Sequence, residues 1–202
     1  MSKKADKHLS KDAIMKMIVK EHKKLNLPKS NTVFHELVKS IVYQQISIKA
    51  AATIHQRFVD FIGTDDFLPE DLLHYEAQEF RAAGFSSQKS NYVLNIARYF
   101  TEHKIEESDW EAMSDEEIME KLISIKGVGE WTVQMILIFQ LDRPDVLPVK
   151  DLAIQQTMVK LYKIKSEKSK LLKDMVKVAE AWRPYRSAAS LYLWAWKRAN
   201  SN

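Results

Sequence analysis

Two glycines one residue apart, Gly127 and Gly129, and a carboxylate twenty-two positions later, Asp151, are the residues whose types and spacing most suggest chemistry. The chain holds only four glycines in 202 residues, so two within "IKGVGEW" need a reason. Glycine tolerates positive φ and leaves its backbone N–H uncovered by a Cβ. A Gly-Val-Gly turn before a helix beginning near Glu130 therefore presents amides and a positive helix end to one anion the size of a phosphate. Lys126 adds a charge beside it. The same pattern also serves as a plain interhelical turn with glycine as a C-cap. Asp151 stands in "LPVKDLAIQQ", where Pro148 and an extended dipeptide lead into a helical pattern. It reads as an N-cap, a place where the helix favours a carboxylate in its charged form, and a cap alone would also explain it.

The elements that must position these residues are helices. Glycine and proline are too scarce for long strands joined by tight hairpins. Apolar residues recur with helical period through roughly 11–24, 32–45, 47–62, 76–83, 87–102, 115–124, 129–141, 151–163, 167–182 and 185–199. Ser114 with Glu117 forms a capping box, Gly84 can close the helix before it, and Asp65-Asp66 with Pro69 mark a turn and a helix start. The longest irregular connection is "LDRPDVLPVKD", where Asp142 and Asp145 read as loop residues. The expectation is an all-α chain with a loose basic tail over residues 1–10 and one domain over 11–202.

Composition narrows the chemistry. There is no cysteine, which excludes disulfides, iron–sulfur clusters and thiolate nucleophiles. The six histidines have no paired i, i+4 spacing, which argues against a histidine metal site. No apolar run approaches the ~20 residues of a membrane helix, so no membrane partner is expected. The net charge is +4 and unevenly spread. Residues 1–30 carry nine lysines against three acids, residues 64–120 fifteen acids against four basic residues, and residues 143–202 thirteen basic residues against five acids. Such polarity can present a basic face to a polyanion, and it also suits ordinary solvated helices.

"IKGVGEWTVQMILIF…LPVKD" resembles the helix–hairpin–helix and Gly/Pro…Asp motif of the base-excision DNA glycosylases, and within that superfamily the 3-methyladenine DNA glycosylase II branch. "ELVKSIVYQQISIKAAATI", "AAGFSSQKSNYVLNIA" and "WRPYRSAASLYLW" add to the likeness, which runs over about residues 32–199. The resemblance implies two helical lobes with the active-site cleft between them. One lobe would span roughly 32–140 and the other would combine the N-terminal helix with roughly 141–202. It also implies a compact form without the N-terminal β domain that some relatives carry.

The resemblance assigns roles residue by residue. Asp151 is the catalytic carboxylate. Gly127, Gly129 and Thr132, with Lys126 beside them, hold a DNA phosphate. A sodium or potassium ion sits on the backbone carbonyls of Ile123, Ile125 and Val128, and no cofactor is required. Gln45 is the side chain that fills the gap left by a flipped nucleotide, where some relatives carry leucine. Trp131 occupies the place where bifunctional members have a lysine. An indole cannot form the Schiff base needed for strand cleavage, but its face suits a cationic methylated purine. Trp194 maps onto a second aromatic wall, Tyr43 lies near the plug, and Met135 replaces an aromatic found in some relatives. Lys150, Arg183 and Arg186 are candidates for phosphate contacts or salt bridges. The reading is a monofunctional, monomeric glycosylase that acts on damaged double-stranded DNA and removes 3-methyladenine or 7-methylguanine. It would work in the nucleoid or cytoplasm of a prokaryote, or in a eukaryotic nucleus. The alternatives are an enzyme for deaminated bases such as hypoxanthine and a non-catalytic damage-binding module.

Overall fold

The computed structural model describes residues 2–22 and 32–200, and among these there is no strand. The helical pattern that runs to residue 24 leaves the described residues at 23. By contact the chain divides into two compact units: Met1–Pro28 with Leu137–Asn202, and Lys29–Ile136. None of the described helices is long and apolar enough to cross a membrane.

The second unit holds α3 (Val33–Tyr43), α4 (Ile48–Ile62), α5 (Pro69–Leu72), α6 (Ser87–His103), α7 (Asp109–Ala112), α8 (Asp115–Ile123) and α9 (Glu130–Met135). Polar caps set the starts. Thr32, Ser47, Ser86 and Ser114 each accept a backbone N–H of the first turn of the helix they precede. The Ser114–Glu117 capping box forms as the sequence predicts. Residues 76–83 differ from expectation: only Glu79–Ala83 is helical, as a 3-10 turn closed by Gly84 in the left-handed region. The core is built on aromatic edges. Phe58 meets Phe67 at 5.4 Å and 87°, and Phe34, Phe80, Phe85 and Phe100 extend the cluster. Such pairs add about 0.5–1.5 kcal/mol each beyond their buried area.

The first unit holds α1 (Lys3–Leu9), α2 (Ala13–Glu21), α10 (Leu152–Tyr162), α11 (Lys168–Ala179) and α12 (Arg186–Ala199). The chain passes into it where α9 widens into a π-helix over Ile136–Gln140. The basic tail expected over residues 1–10 is corrected here, because Lys3–Leu9 is a helix capped by Ser2. Ala5 and Leu9 bury one face in the core with Met15, Ile18, Met158, Trp182 and Tyr192, while the lysines stay in solvent. Asp6 accepts the Tyr192 hydroxyl at 2.7 Å, and Asp12, the cap of α2, accepts from Tyr162 at 2.8 Å and from the Trp182 indole at 3.3 Å.

Candidate active site

The hairpin lies between α8 and α9 in the second unit. Val128 N–H donates to the Ile125 carbonyl at 3.0 Å and closes a four-residue turn around Lys126 and Gly127. Gly127 has φ +112, and a Cβ there would stand 2.3 Å from Cγ of Tyr92. Backbone and packing together therefore demand glycine at 127. Gly129 is different. It caps α9 at φ −105, an ordinary conformation, and nothing lies within 4 Å of where its Cβ would be. Serine or aspartate would cap the helix better. The fold gives no reason for glycine at 129. Thr132 is buried, so a phosphate would meet its N–H in the first turn of α9 rather than its hydroxyl. Lys126 is exposed.

The carbonyls expected to hold a monovalent cation lie at the end of α8 and in the turn. Ile125 O accepts one N–H and has a second lone pair, and Ile123 ends α8, where helix carbonyls lose their partners. Among the described residues no cluster of histidines and carboxylates could hold a metal.

The turn after α3 carries the proposed plug. Gln45 takes φ +58, a left-handed conformation unusual for a side-chain-bearing residue, and it is exposed. Ile46 and Ile48 beside it are 38% and 80% exposed. The sequence did not single out these isoleucines: Ile48 falls within the apolar period of α4, and Ile46 lies in the turn before its Ser47 cap. Tyr43 is half-buried at the end of α3, Trp131 is 49% exposed on α9, and Met135 is half-buried one turn on.

In the first unit the structure brings Asp151 and Trp194 into contact. Asp151 is the N-cap of α10, and its Oδ1 accepts the Ile154 N–H at 2.9 Å and the Trp194 indole N–H at 3.0 Å. The Trp194 ring stacks on Phe139 at 5.7 Å and 23°. Phe139 was not singled out in the sequence, since it lies in an unbroken apolar run; the π-helix gives it its position. The carboxylate is thus held by a helix start and by an aromatic pair. Leu152, next in the chain, is 66% exposed.

Arg183 and Arg186 resolve as salt bridges. Arg186 Nε meets Asp145 Oδ1 at 2.8 Å, and Arg186 Nη2 also donates to the Asp145 carbonyl at 2.8 Å. Arg183 Nη1 reaches Asp145 Oδ2 at 2.6 Å and its Nε meets Glu180 at 3.0 Å. Asp145 is thus the anchor that fixes the loop before Asp151 to the start of α12.

A hairpin with an uncovered glycine amide, and a carboxylate that caps a helix after a proline-containing loop, define a class. Residues 38–183 match the HhH-GPD superfamily base excision DNA repair protein family, and the chain belongs to it. YfjP of Bacillus subtilis is 33% identical over 193 residues, which cover 93% of this chain and 66% of that protein, just under two thirds of its length. A DNA-3-methyladenine glycosidase from Bacillus halodurans superposes with a TM-score of 0.86 at 31% identity, covering 97% of this chain and 89% of that one. The 3-methyladenine DNA glycosylase of Schizosaccharomyces pombe, solved with abasic DNA, gives 0.81 at 34% identity over 95% of both chains.

Proposed function

We propose that this chain is a monofunctional DNA glycosylase of base excision repair that releases alkylated purines, 3-methyladenine and 7-methylguanine, from duplex DNA. The observation that carries the reading is Asp151, fixed through Oδ1 by its own helix and by Trp194. A base inside a duplex is out of reach, so the nucleotide is first extruded, at a cost of a few kcal/mol. The hairpin amides of Gly127, Gly129 and Thr132, with Lys126, grip the neighbouring phosphate, and Gln45 fills the vacated space. Trp131, with Tyr43 and Met135, in one unit and Trp194 in the other are the side chains proposed to receive the base, since indole faces attract a cationic purine.

The glycosidic C–N bond then breaks. Its electron pair leaves with the base and neutralises the positive charge the methyl group placed there, so little acid catalysis is needed. Positive charge develops on the deoxyribose, and the Asp151 carboxylate stabilises it. Water adds to the anomeric carbon and its proton passes to solvent, leaving an abasic site. With tryptophan at 131 instead of lysine, no amine attacks the sugar and no strand is cut. A sodium or potassium ion on the carbonyls of Ile123, Ile125 and Val128 would stiffen the hairpin; no step passes through it. The enzyme acts as a monomer.

The test is purine release from duplex DNA treated with a methylating agent, with strand breaks scored in parallel. Release of 3-methyladenine or 7-methylguanine without breaks is expected. Asp151→Asn keeps the cap, since asparagine caps as well as aspartate, and should lower the rate about 10²–10³-fold with duplex binding retained. Release by Asp151→Asn at the parent's rate would overturn the mechanism. No methylated base released by the parent would point to deaminated bases, or to a binding module if hypoxanthine also stays in place.

A further inference from the structure

Two consecutive carbonyls of the hairpin turn are held by side chains from other elements of the same unit. Asn95 Nδ2, from α6, donates to Lys126 O at 3.2 Å, and Gln44 Nε2, from the turn after α3, donates to Gly127 O at 3.2 Å. The turn itself has a positive φ at its third residue, Gly127, and none at its second, Lys126. That is the type II pattern, which differs from type I by a flip of the central peptide. In a trans peptide the C=O and N–H point in opposite directions. Holding Lys126 O on Asn95 therefore turns the Gly127 N–H away from α6. Holding Gly127 O on Gln44 turns the Val128 N–H back onto Ile125 O, where it closes the turn at 3.0 Å.

We propose that Asn95 and Gln44 are positioning residues for DNA. They select the peptide flip that leaves the Gly127 amide facing outward, and so build the phosphate grip on which the proposed function rests. Gln44 also directly precedes Gln45. One side chain thereby ties the grip to the plug turn, whose other side is fixed by Lys89 Nζ donating to Val42 O at 2.7 Å. The amide that holds the hairpin backbone and the side chain proposed to fill the gap are thus neighbours in one turn.

The experiment is the affinity of the full chain for a duplex containing a tetrahydrofuran abasic analogue, which is not cleaved. Gln44→Ala and Asn95→Ala should each weaken binding about three- to tenfold, the loss expected for one net hydrogen bond. In turnover the loss should fall on KM rather than kcat. Gln44→Glu separates positioning from bulk stability. Its carboxylate cannot donate to Gly127 O, but its protonated form can. The ratio of its affinity to the parent's should rise towards one as pH falls through the carboxylate range, while titrations common to both proteins cancel. Unchanged affinity in both alanine variants would overturn the proposal. So would a loss that tracks a lowered melting temperature, or a Gln44→Glu ratio that does not move with pH. Parent protein that binds the duplex but releases no base would instead sink the glycosylase reading and leave this inference standing.

Discussion

At the scale of single residues, the proposed function gives Asp151 the chemistry and Trp194 its support. A carboxylate that stabilises a short-lived sugar cation must already point at it, because reorientation during the reaction would forfeit the gain. On the proposed function, the 3.0 Å bond from the Trp194 indole, itself stacked on Phe139, supplies that orientation. Trp194→Phe retains the ring stack and deletes only the donor. We expect kcat for purine release to fall about tenfold, as for loss of one hydrogen bond to a charged group. Binding of an abasic duplex should stay within about twofold of the parent, since the backbone contacts that dominate duplex affinity lie elsewhere. Equal losses in kcat and in duplex affinity would show that Trp194 is chiefly a wall against the DNA and not a support for Asp151.

At the scale of elements, the two hairpin glycines separate folding from function. Gly127→Ala meets both a positive φ and the Tyr92 ring, so it should destabilise the protein by about 1–3 kcal/mol and weaken DNA binding with it. Gly129→Asp improves the N-cap of α9 in open space. The melting temperature should hold or rise, while binding falls through repulsion of the phosphate. Thermal denaturation and duplex titration on the same samples decide it, and binding unchanged in Gly129→Asp would remove Gly129 from the phosphate site. How much of this was legible in the sequence follows from range. The helices, the Ser114–Glu117 box, the Asp151 cap and the hairpin are local patterns, and the sequence displays them within a few residues. Gln44 reaches Gly127 across 83 positions and Asn95 reaches Lys126 across 31, and no local pattern announces such pairs. Helix α1 escaped for another reason: four of its seven residues are lysine or histidine, and only Ala5 and Leu9 mark a buried face. Composition read it as a tail, and tertiary packing made it a helix.

At the scale of the whole molecule, the chain begins in one unit, builds the other, and returns. Within the first unit, hydrogen bonds tie the N-terminal helices to α10 and α12. Asp6 of α1 accepts from Tyr192 of α12, and Asp12 accepts from Tyr162 of α10. Burial, reinforced by the aspartate that each hydroxyl faces, raises both phenols above their ordinary value near 10. A raised folded-state value means that the neutral phenol stabilises the native state. That contribution is complete below pH 10, where the unfolded tyrosines are also neutral, and drains away as pH rises above 10 towards the folded values. Urea midpoints should therefore be nearly level from about pH 8 to pH 9.5 and fall steeply beyond, with docking of α1 and α2 lost first. The double variant Tyr162→Phe/Tyr192→Phe, less stable at neutral pH because both hydrogen bonds are gone, should show a clearly shallower fall over the same range. Lysine titration is common to both proteins and cancels in the comparison. If the two curves run parallel above pH 10, the tyrosine–aspartate pairs do not hold the chain's ends together, and the buried faces of Leu9, Met15 and Ile18 carry that task alone.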